Sequence, residues 1–128
     1  MNYAKKLVAI LLSVCLVSGI ALPSAFAFSD VSENDYVESL TEKGIVKGYN
    51  ADSFGPDDVC TRGQFLTFLW RATGEPAAEK NAKIKDIKGN EYYADAVWWA
   101  YENGITKIYS DDTFRADTPV DRQHAAIQ

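Results

Sequence analysis

Two short stretches hold the residues whose types and spacing are best suited to chemistry. Thr61-Arg62-Gly63-Gln64 places a guanidinium at the start of an apolar helical pattern, and Asp121-Arg122-Gln123-His124 places a second one sixty residues later. A guanidinium presents a planar pair of donors to a carboxylate, and the first turn of a helix adds amides and a favourable dipole. Taken alone, such an arginine reads more readily as a solvated helix-start residue, or as one paired with a nearby carboxylate such as Asp58, than as a ligand contact. The aromatic faces of Tyr36, Tyr92, Trp98 and Trp99 match the C–H faces of carbohydrate rings, although such residues more often pack a core. Trp98 and Trp99 are neighbours, about 100° apart on a helix, so both can hardly enter one core region and one is a candidate groove wall.

Other chemistries find little support. Asn50, Asp52, Asp57 and Asp58, with Asp111, Asp112 and Asp117, lack the alternating ligands and terminal glutamate of a calcium loop, so turn-forming and capping roles are expected of them. The chain has one histidine and two cysteines, one of which, Cys15, lies in the leader described below. A Cys/His metal site and an intramolecular disulfide are therefore not expected, and no cofactor is called for. Cys60 reads as a small, part-buried residue at a helix entry, and His124 as a surface residue with no partner that spacing identifies. Nothing brings a nucleophile to a base or sets two carboxylates at a working separation, so the chain is not expected to be an enzyme.

The elements that position these residues begin after a leader. Lys5 and Lys6 precede an apolar run from Leu7 to Leu22, then Pro23 and Ala25-Phe26-Ala27. This is the pattern of a secretory signal peptide over residues 1–27, and removal after Ala27 is expected to leave a secreted chain with no membrane association. The net charge is −5 at pH 7, and loss of the two leader lysines makes the remainder more acidic. An acidic chain argues against nucleic acid or an anionic membrane as partner, because phosphate binding needs basic residues on one face.

Within the remainder, Gly44-Ile45-Val46-Lys47-Gly48-Tyr49 and Phe54 recur as Gly104-Ile105-Thr106-Lys107-Ile108-Tyr109 and Phe114, sixty residues on. Upstream, the offset becomes fifty-six: Phe28, Asp30 and Tyr36 meet Ile84, Asp86 and Tyr92. The four extra residues of the second copy suggest a first helix one turn longer. Each copy reads as helix, loop, helix. Tyr93, Ala96, Val97, Ala100 and Tyr101 share one helix face, with Gly104 where a left-handed cap belongs. Thr61 and Gln64 fit a capping box, Phe65, Phe68, Leu69 and Ala72 form an apolar stripe, and Gly74 with Pro76 ends that helix. The division is repeat 1 over 28–74, a linker over 75–83 and a second, shortened repeat over 84–128.

The ordered set Phe-x-Asp-Val, Gly-Ile-Val-x-Gly-Tyr, Phe-x-Pro-Asp and Thr-Arg-x-Gln resembles the S-layer homology repeat through nearly all of residues 28–73, and again, with departures, over 84–127. The resemblance implies a mainly α fold of helix-loop-helix repeats belonging to a pseudo-threefold helical bundle. It also implies non-covalent attachment at the cell wall or cell surface, through grooves that bind secondary cell-wall polysaccharide, often pyruvylated. On this reading Thr61, Arg62, Gly63 and Gln64 bind the polysaccharide, the free first-turn amides assisting, with Arg122, Tyr36, Tyr92 and Trp98 as further contacts. Asp121 adds negative charge beside Arg122, and Ile108 and Ala116 depart from the expected glycine and proline, which reads as drift. Because the second copy stops early, two alternatives stand beside wall binding: a structural protein that completes its bundle by self-association, and a truncated remnant of a larger surface protein.

Overall fold

The computed structural model describes residues 28–32 and 35–127, so the leader lies outside the described residues, as do the side chains of Gln123 and His124. Among the described residues four helices follow in order: α1 (Asp35–Glu42), α2 (Arg62–Ala72), α3 (Ala94–Glu102) and α4 (Arg122–Ile127). Among the described residues there is no strand, and extended pairing is confined to an isolated antiparallel bridge between Thr61 and Pro119. The fold is mainly α, as the periodicity and the resemblance imply. None of the described helices is long and apolar enough to cross a membrane.

Local chemistry sets the helix ends. The Gln64 amide donates to Thr61 Oγ1 at 3.3 Å while Gln64 Oε1 accepts from the Thr61 amide at 2.9 Å, closing the capping box that starts α2. At the end of α3, Gly104 has φ +68°, and its left-handed turn lets the Ile105 amide reach Ala100 O at 2.8 Å. Gly44 repeats this after α1, with φ +70° and an Ile45 amide bonded to Leu40 O at 2.9 Å. Residues 75–83 contain neither helix nor strand; Trp70 Nε1 ties their start down by donating to Pro76 O at 2.8 Å.

The core spans both repeats. Helices α2 and α3 pack together, and Leu66 of α2 joins Ile84, Ile87, Ala94, Ala96, Val97, Trp98, Ala100, Phe114 and Ala116 of the second repeat. The alanines of α3 keep its inner face thin enough for close approach. The fully buried residues of α2 are Arg62, Gly63, Leu66 and Thr67; of the expected stripe, Phe65 and Leu69 are half-buried and packed against this cluster, Phe68 is half-buried and Ala72 is exposed. Thr67 stays dry because its hydroxyl donates to Gly63 O at 2.7 Å, satisfying the one polar group it brings inside.

Two expectations drawn from the repeat register need correction. Helix α3 has nine residues against eight in α1, so the insertion is not an added helical turn. It falls in the loop before α3, where the Glu91 carboxylate accepts the amides of Lys88 and Gly89 and closes a tight turn. Ile108 is also not drift. A Cβ on Gly48 would stand 2.4 Å from the Phe28 ring and 2.6 and 2.8 Å from the carbonyls of Ser53 and Asn50, so Phe28 and the closed loop together require the glycine. In the second repeat the smaller Ile84 replaces Phe28 in the core, and Ile108 packs against that same cluster.

The carboxylates that recur at Asp30 and Asp86 hold the loops. Asp30 accepts from the amides of Phe54 and Gly55 and from the Ser53 hydroxyl, and Asp86 accepts from the amides of Phe114 and Arg115 at 2.8 and 2.7 Å. Asn50 and Asp111 close the preceding turns with side-chain oxygens that accept the amides of Ser53 and Thr113. The amides of Phe54 and Gly55 hold Asp30 below its ordinary pKa, and hydrogen bonds from Thr113 and Arg115 take Asp111 down to about 2. A carboxylate with a depressed folded pKa stabilises above its unfolded pKa and loses that contribution as pH falls through the folded one. The melting temperature is therefore expected to hold down to about pH 4 and to fall from there toward about pH 2. A thermal-melt series across that range checks it, and Asp30→Asn should flatten part of the decline.

Candidate functional site

The predicted anion-binding element turns out to be the seam between the repeats. Gly63 has no side chain, and a Cβ there would stand 3.0 Å from Tyr93 Cδ1 and 3.1 Å from Ala116 Cβ, so the start of α2 can press directly onto the loop before α4. Once there, the Arg62 amide donates to Thr118 O and the Gly63 amide to Ala116 O, both at 2.9 Å, while the Val120 amide donates back to Cys60 O. The amides expected to be free for a ligand are thus already bonded. The Arg62 side chain follows them inward. It is 6% exposed, with Nε donating to Phe114 O at 3.2 Å and Nη2 to Lys107 O at 3.3 Å. Its Cζ lies 4.6 Å from the Phe114 ring centroid and 5.5 Å from that of Tyr109, a cation held between aromatic faces and carbonyls. Asp58 does not pair with it.

Beside this seam opens a cleft of about 450 Å³ whose lining includes Asp86, Tyr93, Arg115, Asp117 and Thr118. Arg115 is the accessible cation here. Its side chain is 50% exposed, pairs with Asp111 at 2.9 Å and stacks 4.1 Å from the Tyr109 ring centroid. Its backbone is left-handed at φ +60°, where repeat 1 has Gly55 at φ +77°. That arginine-for-glycine exchange at matching positions was the signal available in the sequence, and motif reasoning centred on Arg62 passed over it. Tyr92 and Tyr93 pack edge to face with ring centroids 5.0 Å apart, and Tyr92 remains 60% exposed. Burial, followed by the Asp117 carboxylate, raises the phenol pKa of both tyrosines, so they stay neutral hydroxyl donors.

The other expected contacts scatter. Tyr36 stands on α1 at 81% exposure, and Arg122 is exposed at the start of α4. Trp98 is 5% exposed inside the core, with its ring edge 3.0 Å from where a Gly89 Cβ would be, so it forms no groove wall. Trp99 is the half-buried member of that pair. Thr61 and Gln64 are occupied with each other in the capping box. Cys60 is half-buried, and burial raises its thiol pKa. Among the described residues no group of three or more His, Cys, Asp or Glu side chains converges as a metal site would require.

The S-layer homology domain family matches residues 27–66 and 83–126, well over half of the chain and both repeats. The surface layer protein of Brevibacillus choshinensis is 30% identical across 91% of this chain, and the surface-layer 125 kDa protein of Lysinibacillus sphaericus is 29% identical across 98%. The cellulosome-anchoring protein of Acetivibrio thermocellus is 26% identical across 77%. The chain spans 11% of the length of each of the first two and 24% of the third. Repeats of this kind occur in surface-layer and anchoring proteins, consistent with a place at the cell surface. Two matches in series, each covering a helix-loop-helix unit whose seam is described above, establish that the chain belongs to the S-layer homology domain family.

Proposed function

We propose that the chain is an exported attachment module that holds on to secondary cell-wall polysaccharide non-covalently through the cleft beside the repeat seam. The carrying observation is the composition of that cleft: an exposed arginine, the neutral Tyr93 and an exposed carboxylate share one opening, with the exposed Tyr92 packed edge to face on Tyr93. Arg115 offers donors to an acidic substituent such as a ketal pyruvate. Asp117 and Thr118 accept from sugar hydroxyls, and the Tyr92 and Tyr93 rings give a face for the sugar's C–H surface. Thr61, Arg62, Gly63 and Gln64 contribute by building the seam that sets these groups in place, and Arg122 and Tyr36 stand outside the cleft. The role is binding, with no catalytic step assigned to any residue.

The test is co-sedimentation of the chain from Phe28 onward with isolated cell-wall sacculi, before and after acid extraction of their secondary polysaccharide. Binding lost on extraction is expected, and Arg115→Ala should weaken it about tenfold while leaving the melting temperature within a few degrees of the parent. A chain that stays in solution with untreated sacculi overturns the reading, and unchanged retention of Arg115→Ala removes this cleft from it.

A further inference from the structure

The seam that Arg62 makes inside the chain has a second, open copy of its receiving half. In repeat 2, the groups that take the guanidinium are Lys107 O, Phe114 O and the rings of Tyr109 and Phe114. Their counterparts sixty residues earlier, Lys47, Tyr49 and Phe54, line an open cavity of about 230 Å³ together with Asp58, Cys60 and Phe68. Among the described residues no donor reaches the carbonyls of Lys47, Phe54, Pro56 or Asp58, the equivalents of the four that Arg62 and Gly63 occupy. Phe68, from the half-buried stripe of α2, forms part of this wall, and Tyr49 is 60% exposed.

The charge around the empty socket suits a cation better than the filled one does. In repeat 2, Tyr109 already carries Arg115 on its ring, so Arg62 enters beside another guanidinium. In repeat 1 that position is Gly55, over which the Tyr49 ring lies, and Asp58 adds a carboxylate where the second repeat has Thr118. The chain has four arginines, and two of them are the first residue of a helix: Arg62, already seated, and Arg122, exposed. Proline at position 56 costs the contact nothing, because the seam uses the carbonyl there and not the amide.

We propose that the socket formed by Lys47, Tyr49 and Phe54 receives Arg122 of a second copy of the chain, reproducing between molecules the seam that Arg62 makes within one. The contact joins two different patches, so it either closes into a ring or extends head to tail. It is independent of the wall-binding reading, which uses the cleft at Arg115.

Sedimentation velocity of the chain from Phe28 onward, across a concentration series without sacculi, tests it. Concentration-dependent association is expected, weakened about thirtyfold or more by Arg122→Ala and likewise by Tyr49→Ser, both exposed positions at which folding is checked by thermal melting. An equimolar mixture of the two variants restores one intact contact per pair, so it should associate where each variant alone does not. A parent chain that is monomeric throughout, association that survives Arg122→Ala, or a variant mixture that remains monomeric each overturns the proposal.

Discussion

Phe114→Ala is expected to cost about 3–5 kcal/mol of folding stability, the largest loss from any single core substitution in this chain. The side chain is fully buried at the point where three supports meet. Its amide is held by Asp86, its carbonyl receives Arg62 Nε, and its ring lies under the Arg62 guanidinium. Removing the ring opens a cavity and takes away the surface on which the seam closes. The matching change in repeat 1, Phe54→Ala, should cost only about 1–2 kcal/mol, because Phe54 is half-buried and packs chiefly on Phe28 at 5.4 Å between ring centroids. Urea unfolding of both variants checks the difference, and equal losses would contradict a core centred on the second repeat.

Arg62→Ala is expected to remove about 2–4 kcal/mol and to abolish retention on sacculi together with it. The substitution strands the buried carbonyl of Phe114 and the part-buried one of Lys107, and it unseats the α2 start from the loop that carries Arg115. Arg62→Lys should recover little, since an ammonium cannot serve both carbonyls in the plane of a fork while stacking on Phe114. The diagnostic is the pairing of effects: Arg62 variants should lose stability and binding together, whereas Arg115→Ala should lose binding alone. An Arg62→Ala chain that melts like the parent yet fails to bind would mean that Arg62 grips the ligand directly.

Much of the local architecture was legible before any coordinates. The capping box at Thr61 and Gln64, the left-handed glycines at 44 and 104, and the helix-loop-helix order all depend on residues three to five positions apart, and such patterns carry their own physics. The α2 stripe told only part of the packing: Phe65 and Leu69 do rest on the core, but the most deeply buried edge is the one with Gly63, whose missing side chain lets the helix start press on Tyr93 and Ala116. Periodicity counts apolar atoms and is blind to closeness of approach. The four-residue insertion was visible as a change of register, while its placement in a turn depended on Glu91 capping the amides of Lys88 and Gly89.

What the sequence alone determined was the repeat, its family, the helix ends and the small set of polar residues from which any site must be drawn. The tertiary structure decided what those residues do. Arg62 is bonded to carbonyls forty-five and fifty-two residues away, Asp86 holds amides twenty-eight and twenty-nine residues away, and Trp98 is inside because α2 and the loop at Gly89 cover its part of α3. An arginine at a helix start is compatible with solvent, a ligand or a neighbouring chain segment. The choice among them is made by which carbonyls and aromatic faces the packing of the second repeat brings within reach, information that no local spacing contains.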